Sequence, residues 1–245
     1  MLRGAFLLVL AWTLASPAAR AAVSADMALV LVSDVSRSID DGEFRLQKDG
    51  YLAAFTDPRV VAAIRGGTAG AIAVSYVEFA GGEDVRAVLG WTMLRDAASA
   101  RQFAERLNAA PRSFRGRTAI SSGIDLGAAM LATSGIAAER RVIDVCGDGT
   151  NNSGRPVTEA RDAALKSGIT INGLAIINDH PVSWAHAHVQ PPGGLAKYYR
   201  EHVIGGPGAF VLEVRDFHSF GEAMTRKLVT EISGRGPPSR YAAAR

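Results

Sequence analysis

The stretch Ala28-Leu-Val-Leu-Val-Ser-Asp-Val-Ser-Arg-Ser38 decides how the rest of the chain is read. Ala28 to Val32 is apolar and rich in β-branched residues, the pattern of a strand buried on both faces, as strands inside parallel sheets are. It runs through Ser33 into Asp34, Ser36 and Ser38. One carboxylate and two hydroxyls thus stand at alternate positions where an open α/β sheet presents its ligand crevice. Oxygen groups crowded there suit a hard divalent cation better than they suit packing.

Working outward, strands and helices alternate. Asp40 to Phe55 has Phe44, Tyr51, Leu52 and Phe55 at helical spacing, and Asp57-Pro58 ends it. Arg59 to Ile64 predicts a short helix. Ala71 to Phe79 and Asp84 to Trp91 predict two strands, and Gly81-Gly82 between them predicts a hairpin. The expected fold class is therefore α/β: a doubly wound, mostly parallel sheet with one antiparallel edge strand and helices on both faces. Asp96 to Ala109 is an amphipathic helix. The polar segment Arg112-Ser-Phe-Arg-Gly-Arg-Thr118 leads to a helix over Ala119 to Ala132. Arg140 to Cys146 reads as the next buried strand, ending in Gly147-Asp148-Gly149-Thr150-Asn151-Asn152. Val157 to Lys166 is a helix stopped by Gly168, and Ile169 to Ile177 a further strand. After the irregular segment Asn178 to Gly194 come a short helix (Leu195 to His202), a strand (Ala209 to Val214) and a final helix (Phe217 to Ile232).

Asp-x-Ser-x-Ser after a buried first strand resembles the metal-ion-dependent adhesion site (MIDAS) of von Willebrand factor A domains. Thr118 in Gly-Arg-Thr-Ala-Ile and Asp148 in Cys-Gly-Asp-Gly-Thr match the other two parts of that motif in order and context. Over roughly residues 26–233 the chain is most similar to an uncharacterised family of bacterial exported A-domain-like proteins. The resemblance implies a site of five residues, Asp34, Ser36, Ser38, Thr118 and Asp148. Ser36 and Ser38 would contact the metal directly, Thr118 conditionally, and the two aspartates mostly through water. It implies Mg²⁺, with Mn²⁺ as substitute, and a protein partner whose Asp or Glu completes the coordination shell. That is binding chemistry, with no base or nucleophile required. The chain departs from the pattern at Gly147, where many A domains have Thr or Ser, and Arg37 sits between the two serines.

Composition narrows the role further. Hydrophobic residues make up 48% of the 245, enough to cover both faces of a buried sheet. Residues 1–21 read as a secretory signal peptide: Arg3, an apolar run from Ala5 to Ala15, then Ala19-Arg20-Ala21 as a cleavage site, with Val23-Ser24-Ala25 a second possible cut. The expected location is periplasmic or extracellular, with no membrane span after cleavage. The formal charge of +3 falls to +1 without the two leader arginines, and the three arginines after Gly234 leave the body near −2. The basic balance therefore comes from the ends, which excludes a nucleic-acid surface as its cause. Gly234 to Arg245 reads as an unfolded tail. Cys146, the only cysteine, is expected to be a buried small hydrophobe.

The rival reading is a metal-dependent hydrolase using the same crevice, or zinc held by His180, His186 and His188. No zincin, P-loop, dinucleotide fingerprint or Gly-x-Ser-x-Gly elbow accompanies them, and the acid that an aspartyl-phosphate enzyme wants two residues after Asp34 is Ser36. A third reading is a metal-free scaffold. Trp184, Tyr198 and Tyr199 form an aromatic group for which local packing is the expected role.

Overall fold

The first strand sends alternate side chains into two separate cores. In the computed structural model, which describes residues 23–177 and 190–234, β1 spans Val23–Asp34 and is buried from Ala25 onward. Met27, Leu29 and Leu31 join one hydrophobic cluster, while Ala28, Val30 and Val32 join the other. Residues two apart on a strand share a face, so an unbroken apolar run is what a strand with helices on both sides requires.

The sheet order is β3-β2-β1-β4-β5-β6, with β2 at Ile72–Phe79, β3 at Val85–Leu94, β4 at Ile136–Gly147, β5 at Thr170–Ile176 and β6 at Val211–Val214. All neighbours pair in parallel except β2 and β3, which form the expected antiparallel hairpin. One face carries α1 (Asp41–Thr56), α2 (Pro58–Arg65), α3 (Ala97–Ala109) and α7 (Phe220–Ser233), through residues such as Tyr51, Ile64, Phe103 and Leu228. The other carries α4 (Ile120–Ala132), α5 (Val157–Lys166) and the four-residue α6 (Leu195–Tyr198) with the π-turn Tyr199–Val203 that continues it. Helix α4 lies so close to the sheet that a Cβ at Gly123 would stand 2.5 Å from Val32 Cγ1.

Several boundaries differ from the sequence expectation. Strand β4 begins at Ile136, four residues before Arg140, and its first half pairs with Val23 to Ala25. Two arginines at the start of the expected strand serve distant helices. Arg140 donates to the carbonyls of Glu231 and Ile232 at the end of α7, and Arg141 to that of Ser167 after α5, satisfying helix-end acceptors. The helix expected over Leu195 to His202 changes to π geometry at Tyr199. The final helix opens with a 3₁₀ turn, Phe217–Ser219. The expected leader (1–21), residues 235–245 of the expected tail, Trp184 and the histidines His180, His186 and His188 lie outside the described residues. Among the described residues no helix is long and apolar enough to cross a membrane.

Candidate metal centre

The chain crosses from one side of the sheet to the other between β1 and β4, and such a switch point opens a crevice at the strands' carboxyl ends. Ser33 pairs with Cys146, so Asp34 and Gly147-Asp148 end neighbouring strands. Asp34 Oδ1 accepts the Ser36 amide at 2.7 Å, an Asx-type turn that bends the chain out of β1. The loop is then pinned on both sides: Val35 donates its amide to Phe79 O at 2.9 Å and Arg37 to Gly116 O at 2.9 Å. Asp40 closes the loop by capping α1, in a reciprocal box with Glu43.

This bend brings the predicted oxygens together. Ser36 Oγ and Ser38 Oγ are 3.1 Å apart, and Ser38 Oγ donates to Asp148 Oδ1 at 2.7 Å across 110 residues of chain. Thr118 arrives from the turn before α4. Its amide donates to Asn152 Oδ1 at 2.9 Å, and its carbonyl accepts the amides of Asn152 at 2.8 Å and Ser153 at 3.1 Å. Ser36, Ser38 and Thr118 line one cavity of about 230 Å³, with Arg37, Arg117 and Asn152 on its rim. All five predicted residues thus gather at one crevice, with Ser36, Ser38 and Thr118 lining the cavity and the fully buried Asp34 and Asp148 beside them.

Three positions that carry no recognisable motif complete the frame. Arg112 donates to the carbonyls of Val35 (2.6 Å), Ser36 (2.6 Å) and Ile39 (2.9 Å), gripping the serine loop from behind. Glu78, fully buried on β2, holds the neighbouring Ser113 amide at 2.8 Å and Lys48 Nζ at 2.8 Å. Asn151 Oδ1 accepts the Ser121 amide at 3.0 Å, tying the β4–α5 loop to α4. In sequence Arg112 is one arginine of a polar loop, and only its distance before Gly-Arg-Thr marks it.

The electrostatics ask for a positive charge. Asp34 and Asp148 are fully buried, and each keeps one oxygen, Oδ2, without a hydrogen-bond partner among the described residues. Burial pushes the Asp34 carboxyl up to about 7, against the hydrogen bonds from Ser36 and the charge of Arg112. Burial, and then the charge of Asp34, push Asp148 well above the usual carboxylate range, against the bond from Ser38. Two buried acids that repel one another beneath three hydroxyls form a donor set of oxygens only, which fits a hard dication such as Mg²⁺ or Mn²⁺. Among the described residues no three His, Cys, Asp or Glu side chains cluster.

Comparison with known proteins places the chain. Residues 24–236 match the model of a family described as protein of unknown function (DUF1194). No curated protein matches by sequence. Solved structures share the fold. Proximal thread matrix protein 1 from the mussel byssus aligns with a TM-score of 0.57 at 16% identity, over 86% of this chain and 48% of its own. A second structure of that protein, described as having a zinc occupied MIDAS motif, aligns at 0.56 and 18% identity over 86% and 48%. The pilus adhesin SpaC from Lactobacillus rhamnosus GG aligns at 0.57 and 13% identity, over 86% of this chain and 31% of its own. This chain spans half or less of those molecules. The fold is that of the von Willebrand factor A domain.

Proposed function

The chain belongs to the DUF1194 family, and from that premise we propose that it is an exported protein-binding module that takes a partner's carboxylate through a divalent cation. The supporting observation is the bond from Ser38 Oγ to Asp148 Oδ1, with Ser36, Ser38 and Thr118 lining one cavity. Ser36 and Ser38 are the direct ligands and Thr118 the third hydroxyl. Asp34 and Asp148 hold the cation's waters and balance its charge. Because its direct ligands would be neutral hydroxyls and the aspartates would act through water, the cation would keep a position facing solvent that takes an outside Asp or Glu. Mg²⁺ suits this shell because it keeps several waters and accepts near-octahedral oxygens, and Mn²⁺ substitutes for it. The role is binding and not catalysis. The cation polarises nothing that the partner must break, and adhesion and matrix proteins share the fold. The leader at residues 1–21 carries the module out of the cytoplasm.

Thermal unfolding tests this. Millimolar Mg²⁺ or Mn²⁺ raises the melting temperature of the native protein by several degrees, since a ligand bound only to the folded state stabilises it. Asp34→Ala abolishes the gain. Native protein indifferent to both cations defeats the reading.

A further inference from the structure

Tyr199, from the same helical layer as α4, brings a further hydroxyl to the crevice beside the serines and Thr118. The residue is fully buried, and its hydroxyl has no hydrogen-bond partner among the described residues. Asp34 Oδ2 is orphaned in the same way. Both border Gly147: a Cβ there would stand 2.9 Å from the Tyr199 hydroxyl oxygen, 2.9 Å from Asp34 Cβ and 3.0 Å from Asp34 Oδ2. A second glycine, Gly173 on β5, clears the ring, since a Cβ there would stand 2.8 Å from Tyr199 Cδ1. Two glycines on adjacent strands thus open a slot that a tyrosine from the helical layer fills. The ring enters at the first residue of the π-turn Tyr199–Val203, a rare geometry that recurs at functional sites. Two buried polar groups left unmatched side by side are costly unless something joins them.

We propose that Tyr199 is a positioning residue of the cation site: its hydroxyl donates to Asp34 Oδ2, directly or across one water. It stands where a Ser or Thr at residue 147 would project, supplying from the helical layer the hydroxyl that Gly147 lacks. Asp34 is then held from both sides, with Ser36 N on Oδ1 and Tyr199 on Oδ2, and faces the cation in one orientation. This rests on the crevice being a cation site.

Calorimetric titration of Mg²⁺ into native protein and Tyr199→Phe tests it, with melting temperatures in chelator alongside. Groups that orient metal ligands typically change affinity 10- to 100-fold. Tyr199→Phe is expected to melt in chelator within a few degrees of native and to bind Mg²⁺ about 10-fold more weakly. Native-like affinity in Tyr199→Phe overturns the tyrosine's role while leaving the cation reading intact. If Tyr199→Phe also melts much lower, titration well below its melting temperature decides: weakened Mg²⁺ binding by the folded variant upholds the role and native-like binding overturns it. A native protein that takes up no Mg²⁺ brings down the cation reading, and this inference with it.

Discussion

Arg112 gives its guanidinium to three backbone carbonyls of the serine loop while only its Nη1 reaches toward an acid, Asp41, at 3.5 Å. Arg112→Ala would strand those carbonyls at the floor of the site. The expected cost is about 2–4 kcal/mol of stability, with loss of cation binding. Arg112→Lys should recover little, because an ammonium cannot span three acceptors as a planar fork does; chemical denaturation and Mg²⁺ titration of both variants measure this. The aspartates set the pH response. The folded-state value of about 7 for Asp34 exceeds the roughly 3.9 of an unfolded chain. Cation binding requires the anion, so Mg²⁺ affinity falls as pH drops below 7, by up to about tenfold per unit. Without metal the sign reverses for stability. Between about pH 4 and 7 the folded state keeps a proton that the unfolded state has released, so stability declines as pH rises through that window. Calorimetry at pH 6 and 8, and melting in chelator across pH 4–8, check both halves.

At the scale of elements, the site is held by β2 and α1 as much as by its own loop. Lys48 on α1 and Glu78 on β2 form a fully buried ion pair, and Glu78 anchors the segment that carries Arg112. Burial lowers the Lys48 pKa and the Glu78 charge opposes it. Removing one partner leaves an uncompensated buried charge, so Lys48→Met should cost about 3–5 kcal/mol, while Lys48→Met/Glu78→Leu should cost less than the single change. Urea unfolding of the three proteins decides it. Little of this was legible in the sequence, because a lone Lys at helical spacing reads as a solvated face. Asp34, Ser36 and Ser38 were legible since an apolar strand delivers them to a predictable end. Thr118 and Asp148 were found through the resemblance to the adhesion-site motif, a polar turn before a helix and a strand ending in Gly-Asp-Gly supplying the context that fitted it. Tyr199 was not, because a buried ring and a buried hydroxyl look alike in sequence.

Across the whole molecule, alternation of strands and helices carried the topology, and the hairpin at Gly81-Gly82 marked the antiparallel edge. The start of β4 escaped detection because Ala137, Ala138 and Glu139 carry little strand signal, whereas Arg140 and Arg141, inside the expected strand, reach the ends of distant helices. That extension bears on where a mature chain starts. Val23, Ser24 and Ala25 pair with Ile136, Ala137 and Ala138, so a protein beginning at Asp26 should melt a few degrees below one beginning at Ala22, a loss on the order of 1 kcal/mol. Differential scanning calorimetry of the two chains measures it. Crystals grown with Mn²⁺ and measured for its anomalous scattering decide whether this crevice is a cation site. One strong peak is expected within bonding distance of Ser36 Oγ and Ser38 Oγ, beside Thr118, Asp34 and Asp148. A crevice with no anomalous peak, or a peak only at the histidines of residues 180–188, would contradict that expectation.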